Sequence, residues 1–224
     1  MRLWPVRDAA TAGYLKAGRP AAATLWRDAE WCALDLELTG LDPRHDHVIA
    51  VGCVPIVGGR VALGRARYTL VSTQRRSAPG AIVTHKLRLT DLAGAPGVDE
   101  ALDLIVGELA GRVPVFHVAA VERAFLRPLL RRRGLRLPEH ADTEALGRLW
   151  LGEEGSDRQG GLSLERLARR LGQRAEAPHH ALADAIMTAQ AFIALATHLD
   201  GTRPQTVGTL TAAGGLFRAP RRLG

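Results

Sequence analysis

The sequence predicts an α/β fold, a mixed sheet flanked by helices, and three observations carry that expectation. Three apolar, strand-like runs follow one another over residues 31–71 with short connections. From residue 98 onward, apolar residues recur at helical spacing. Short β-like segments at 113–117 and 139–143 stand between the helical runs. Strands that are neighbours first and alternate with helices afterwards give a mixed sheet with helices on its faces. Many unrelated enzymes share that order, so it does not assign a function.

Residues 1–29 mix Pro, Gly and a run of alanines and read as a helical or irregular lead-in. Trp31-Cys-Ala-Leu-Asp-Leu-Glu-Leu38 is an apolar run bearing two acids, a buried strand ended by the turn chemistry of 39–43. Runs 47–57 and 60–71 are further strands, and Gly58-Gly59 between them signals a hairpin. An antiparallel meander is expected. Val98, Ala101, Leu102, Ile105, Val106 and Leu109 mark a helix that Gly111 stops. A strand at 113–117 leads to an amphipathic helix over 122–133, ended by Gly134. A brief strand at 139–143 opens a helix through Trp150, and the polar, Gly-rich stretch 152–161 reads as a mobile loop. Ser163 is the expected N-cap of a helix over 163–171, and 181–199 is the longest helical run. The organisation expected is a lead-in over 1–29, one main domain over 30–200 and a loose tail over 201–224.

The formal charge of +7 and a sequence pI near 10.5 come mostly from arginine. A polyanionic partner, above all nucleic acid, fits that balance; so does an arginine-rich proteome of high genomic GC content. Cys32 and Cys53 lie in apolar strand runs, without zinc-site spacing, and read as buried thiols of a reducing compartment. No apolar run reads as a membrane span and the first residues lack a secretory core, so a cytoplasmic protein with no membrane partner is expected. Arg131-Arg-Arg133 could track phosphates but reads better as a solvated helix end suited to the dipole.

Two segments carry chemistry. Asp35 and Glu37 are two apart on the first strand, so both side chains point to one face. Paired carboxylates in an apolar strand repel each other and are costly to bury unless cations sit between them. Downstream, His179-His-Ala-Leu-Ala-Asp184 opens the long helix. Asp184 projects from its first turns, where a carboxylate can hold a metal, while His179 lies on the loop before it, where it can take a proton from water. An acid placed for the helix dipole would look the same in isolation.

Together, Asp35-Leu-Glu-Leu-Thr-Gly-Leu41 and His179-x4-Asp184 resemble the DEDDh exonucleases, the DnaQ-like family that includes the proofreading epsilon subunit of bacterial replicative polymerases. Supporting matches lie between them. Residues 77–92, with His85, resemble the family's H-G-[IL]-T segment, Asp142-Thr143 its D-T before a helix, and 162–172 its L-x-x-L-A-x-x-L-G helix. The resemblance spans roughly 30–199 and implies a ribonuclease-H-like fold. One motif departs: His117-Val-Ala-Ala-Val-Glu122 stands where the family reads H-N-x-x-F-D. Glu122 keeps the charge with one more methylene of reach, while Val118 removes an Asn expected to make a hydrogen bond.

The resemblance implies a 3′–5′ exonuclease with a two-metal mechanism. Asp35, Glu37, Glu122 and Asp184 would gather two Mg²⁺ or Mn²⁺ ions, and His179 would be the general base. Leu36, Leu38, Thr39, Gly40, Leu41 and His85 would form the substrate-binding surface, with Leu41 wedged against the terminal base. Single-stranded or frayed DNA 3′ ends are the substrate expected, in proofreading, repair or end processing. An exoribonuclease acting on RNA 3′ ends, and a catalytically decayed nucleic-acid-binding module, are the rival readings. Gln205-Thr-Val-Gly-Thr-Leu210 faintly resembles the segment by which epsilon-type exonucleases touch a sliding clamp, so a DNA polymerase or clamp is a candidate partner.

Overall fold

The computed structural model describes residues 8–152, 161–174 and 179–216. Its strands are β1 (Trp31–Leu38), β2 (Val48–Val57), β3 (Arg60–Val61), β4 (Arg67–Leu70), β5 (Val113–Phe116) and β6 (Ala141–Asp142). Its helices are α1 (Ala9–Ala17), α2 (Pro79–His85), α3 (Val98–Leu109), α4 (Ala120–Arg132), α5 (Thr143–Leu151), α6 (Leu164–Arg170), α7 (Ala181–Asp200) and α8 (Val207–Leu216). The sheet order is β3-β2-β1-β5-β6, with β4 also paired to β2. β1 runs antiparallel to β2 and parallel to β5, so the sheet is mixed as expected.

Alternation along β1 divides the core. Trp31 and Ala33 face one layer with Val54, Ile56, Phe192, Leu195, Leu167 and Leu210. Cys32, Leu34, Leu36 and Leu38 face the other with Leu102, Ile105, Phe125 and Leu126. Helices α5 to α8 therefore cover one face and α1, α3 and α4 the other. Both cysteines are buried and free.

The meander is less regular than its composition. Run 60–71 is not one strand: a 3-10 turn at Leu63–Arg65 separates β3 from β4. Arg65 N–H donates to Ala62 O and Ala66 N–H to Leu63 O there, so the local turn takes the groups a ladder would use. The Gly58-Gly59 hairpin holds, with φ of 57° and 71°. Ser163 caps α6 through its side chain, as expected. The loop expected at 152–161 falls largely on residues outside those described.

Residues 201–216 are not a loose tail. Thr206 bridges Leu25 antiparallel, and α8 packs against β6 and α5 with Val207 and Leu210 buried. This burial also corrects the clamp-like reading of 205–210. Gln205 donates to the carbonyls of Leu199 and Arg203, and Leu210 lies in the core, so neither side chain is presented to a partner. By length and composition α7 could cross a membrane, contrary to the expectation that no run could; it packs against β1, β2 and α5 as a core helix. The arginine run at the end of α4 is engaged by acids: Arg133 with Asp8 and Asp103, Arg132 with Asp99.

Candidate active site

The site is assembled at the point where β1 meets the start of α7. Asp35 pairs in register with Gly52 and Glu37 with Ala50, so small residues flank both acids on β2. A Cβ on Gly52 would lie 2.2 Å from Ala181 O. Only a glycine lets the first turn of α7 rest on the sheet here. That contact carries Asp184, one turn further on, over the strand.

Asp35, Glu37 and Asp184 thereby offer carboxylate oxygens that all lie within 4.8 Å of one another. Glu37 and Asp184 are buried and Asp35 partly so. Burial pushes the Asp35 carboxyl well above its usual range, and the charges of Glu122, Asp184 and Glu37 push the same way. Burial, and then the Asp184 charge, raise Glu37 to about 7. Asp184 is raised chiefly by burial. Its Oδ2 accepts from His179 N–H at 2.8 Å, while Oδ1 is buried with no hydrogen-bond partner. An all-oxygen donor set with an orphaned buried oxygen and mutual repulsion fits hard divalent cations.

Glu122 stands outside this group of three. It sits in the first turn of α4, buried, with Oε2 lacking a partner, and burial raises it to about 8. It reaches the site as a charge acting on Asp35. His179, exposed and at φ 70°, lies near enough to His85 for the two to interact electrostatically. His180 stacks on Tyr68 at 4.6 Å and lies near enough to Asp184 to act on its carboxylate.

The expected substrate-binding residues separate by role. Leu36 and Leu38 are not surface contacts: alternation turns both side chains into the core, each 7% exposed. Thr39 is fully buried and braces the turn, donating from Oγ1 to Asp46 Oδ1 and accepting from His47 N–H. Gly40 abuts the same Asp46 carboxylate, 2.4 Å from where a Cβ would sit. Leu41 is 77% exposed beside the site turn. His85 is buried, with Nδ1 accepting from Leu87 N–H and Nε2 unpartnered. Sequence reasoning missed Gly52 as a site-building residue and gave Asp142 only as a motif match. A glycine inside a strand is the signal that could have found Gly52.

The fold and the three-carboxylate centre are those of a domain built to hold a divalent cation. The family whose description is RNase_T, Exonuclease, matches residues 32–192. The chain belongs to that exonuclease family. The DNA polymerase III subunit epsilon-like protein of Rhodobacter capsulatus is 31% identical over 179 residues, 79% of this chain and 25% of that protein. The DNA polymerase III PolC-type of Thermotoga maritima is 30% identical over 168 residues, 74% of this chain and 12% of that protein. The chain thus spans a quarter or less of these relatives. Exonuclease X in complex with 5′ overhanging duplex DNA superposes with a TM-score of 0.62 at 19% identity, covering 81% of this chain and 99% of that one. The nuclease domain of 3′hExo, bound to rAMP, gives 0.61 at 15% identity, covering 82% and 98%. These likenesses establish the ribonuclease-H-like exonuclease fold.

Proposed function

We propose that this chain removes nucleotides one at a time from single-stranded or frayed DNA 3′ ends, using two Mg²⁺ or Mn²⁺ ions. The observation that carries this reading is the convergence of Asp35, Glu37 and Asp184 within 4.8 Å. These three would hold the ions, with Glu122 as a fourth carboxylate arm. When bound, the ions activate water and offset the charge that develops on the phosphate and the leaving 3′ oxygen.

The chain's own residues do the rest. His179, on the exposed approach to α7, takes the proton of the attacking water. Its backbone tie to Asp184 keeps it beside the carboxylates. Leu41, exposed on the turn that Thr39 and Gly40 brace, meets the terminal base, and His85 lines the same pocket. The names of the two long relatives support DNA as substrate and a DNA polymerase as partner. The rAMP-bound neighbour favours RNA as the second reading. Digestion of matched, end-labelled DNA and RNA strands with Mg²⁺ and Mn²⁺ tests the proposal. A one-nucleotide ladder from the DNA 3′ end, faster than from RNA, supports it. Faster RNA digestion replaces it with an exoribonuclease, and metal binding without cleavage of either leaves a decayed binding module.

A further inference from the structure

Val118, between β5 and α4, has φ 55°. A β-branched residue in this left-handed region is an outlier that persists only where its surroundings impose it. What imposes it here is Asp142, at the end of β6. Its Oδ2 accepts from Ala119 N–H at 3.0 Å and its Oδ1 from Val118 N–H at 3.2 Å. Oδ1 also accepts from Glu144 N–H at 3.0 Å, capping α5. One partly buried carboxylate thus clips the end of β6 to the turn that launches α4. Thr143 adds a second clip, donating to Phe116 O and meeting His117 Nδ1 at 2.9 Å. Glu122 follows one helical turn after Val118, so the direction of its side chain is set by this turn.

We propose that Asp142 is a positioning residue of the active site: by gripping the Val118 and Ala119 amides it fixes the first turn of α4 and aims the Glu122 carboxylate toward Asp35. The inference rests on the reading of Glu122 as a carboxylate arm of the exonuclease site. It also recasts the departure at position 118. Asn, which the resembled family carries there, tolerates left-handed backbone. Val does not, so this chain depends on the Asp142 grip more heavily.

The test is Mn²⁺ titration calorimetry on the full chain, beside strand digestion, for wild type, D142N, V118G and D142N/V118G. Asn retains size and one accepting oxygen but sets an NH₂ against Ala119 N–H. D142N is expected to weaken Mn²⁺ binding about 10- to 100-fold. V118G, which makes φ 55° costless, is expected to restore most of that loss in the double variant. Wild-type Mn²⁺ affinity in D142N overturns the proposal, as does a loss that V118G leaves unrestored, or a wild type that binds no Mn²⁺. If D142N does not fold, a double variant that folds and binds Mn²⁺ supports the proposal, and one that does not overturns it. A wild type that binds Mn²⁺ yet cuts neither DNA nor RNA refutes the exonuclease reading alone, because the Mn²⁺ affinities still decide the role of Asp142.

Discussion

Replacing Gly52 with Ala sets two effects of opposite sign against each other. In an open strand the change would stabilise by about 0.4–1 kcal/mol, because Gly loses more freedom on folding. Here the new Cβ would meet Ala181 O at 2.2 Å, Ala181 C at 2.4 Å and Leu182 N at 2.6 Å. Carbon contacts are comfortable only from about 3.5 Å, so the helix start must retreat by roughly 1 Å. The obstructing atoms are backbone and cannot rotate aside. Overpacking of this kind costs about 1–3 kcal/mol, which outweighs the entropic gain. The retreat carries Asp184 with it, and a displacement of about 1 Å at a reacting centre can cost ~10²-fold in rate. The assay is initial rate of 3′-end digestion together with the melting temperature. Gly107, in the last turn of α3 with nothing within 4 Å of its added Cβ, is the control, and its change to Ala should not lower the melting temperature. A Gly52→Ala variant as active and as stable as wild type would refute the claim that this contact positions Asp184.

Four other outcomes follow from the same geometry. Asp35→Asn should keep less than about a tenth of wild-type turnover while the far-UV spectrum is unchanged, since it removes one carboxylate charge from the acidic cluster. Glu122→Gln should be much more damaging to turnover than Glu122→Asp; equal, mild losses would confine Glu122 to packing. His179→Ala should slow hydrolysis by ~10²–10⁴-fold with Mn²⁺ affinity nearly kept, whereas His180→Ala, which removes a ring stacked on Tyr68 and close to Asp184, should be milder. Finally, Glu37 and Glu122 are raised from 4.5 to about 7 and about 8, so the folded, metal-free protein holds more protons than the unfolded chain. Its stability should fall as pH rises from about 4.5 to about 8, and Mg²⁺ should raise the melting temperature more at about pH 8 than at about pH 5; a pH-independent Mg²⁺ gain would count against this.

What could be read from the sequence was whatever a local pattern encodes. Asp35 and Glu37 announce themselves because period two puts both on one face of an otherwise apolar strand. The same period also places Leu36 and Leu38 in the core, a consequence the family resemblance obscured. The 3-10 break at Leu63–Arg65 was hidden because its residues alternate plausibly, and only the competition between turn and ladder decides it. Glu122 was read from motif position alone. Whether its carboxylate joins the other three depends on a turn held by Asp142, whose grip spans residues far apart in sequence. The helix over 207–216 lacks an amphipathic stripe, so its burial could not be foreseen from periodicity.

The meeting of the two ends has a consequence for how the chain reaches its native state. Trp26 N–H donates to Gln205 O, Val207 N–H to Thr24 O and Gly208 N–H to Ala22 O. The β1–β2 pair closes over a short stretch, but this strap joins residues near 25 to residues near 206 and carries the entropy of closing nearly the whole chain. Until it forms, Trp26 cannot cover Trp31 and Phe192, and one layer of the core stays open to water. A nascent or truncated chain ending near residue 200 would therefore expose an aromatic surface, the kind of patch that drives association between unfinished chains. The carboxylates at the far end of β1 lie outside this seam, so a chain with its ends unfastened could bring its acid cluster together and still lack kinetic protection.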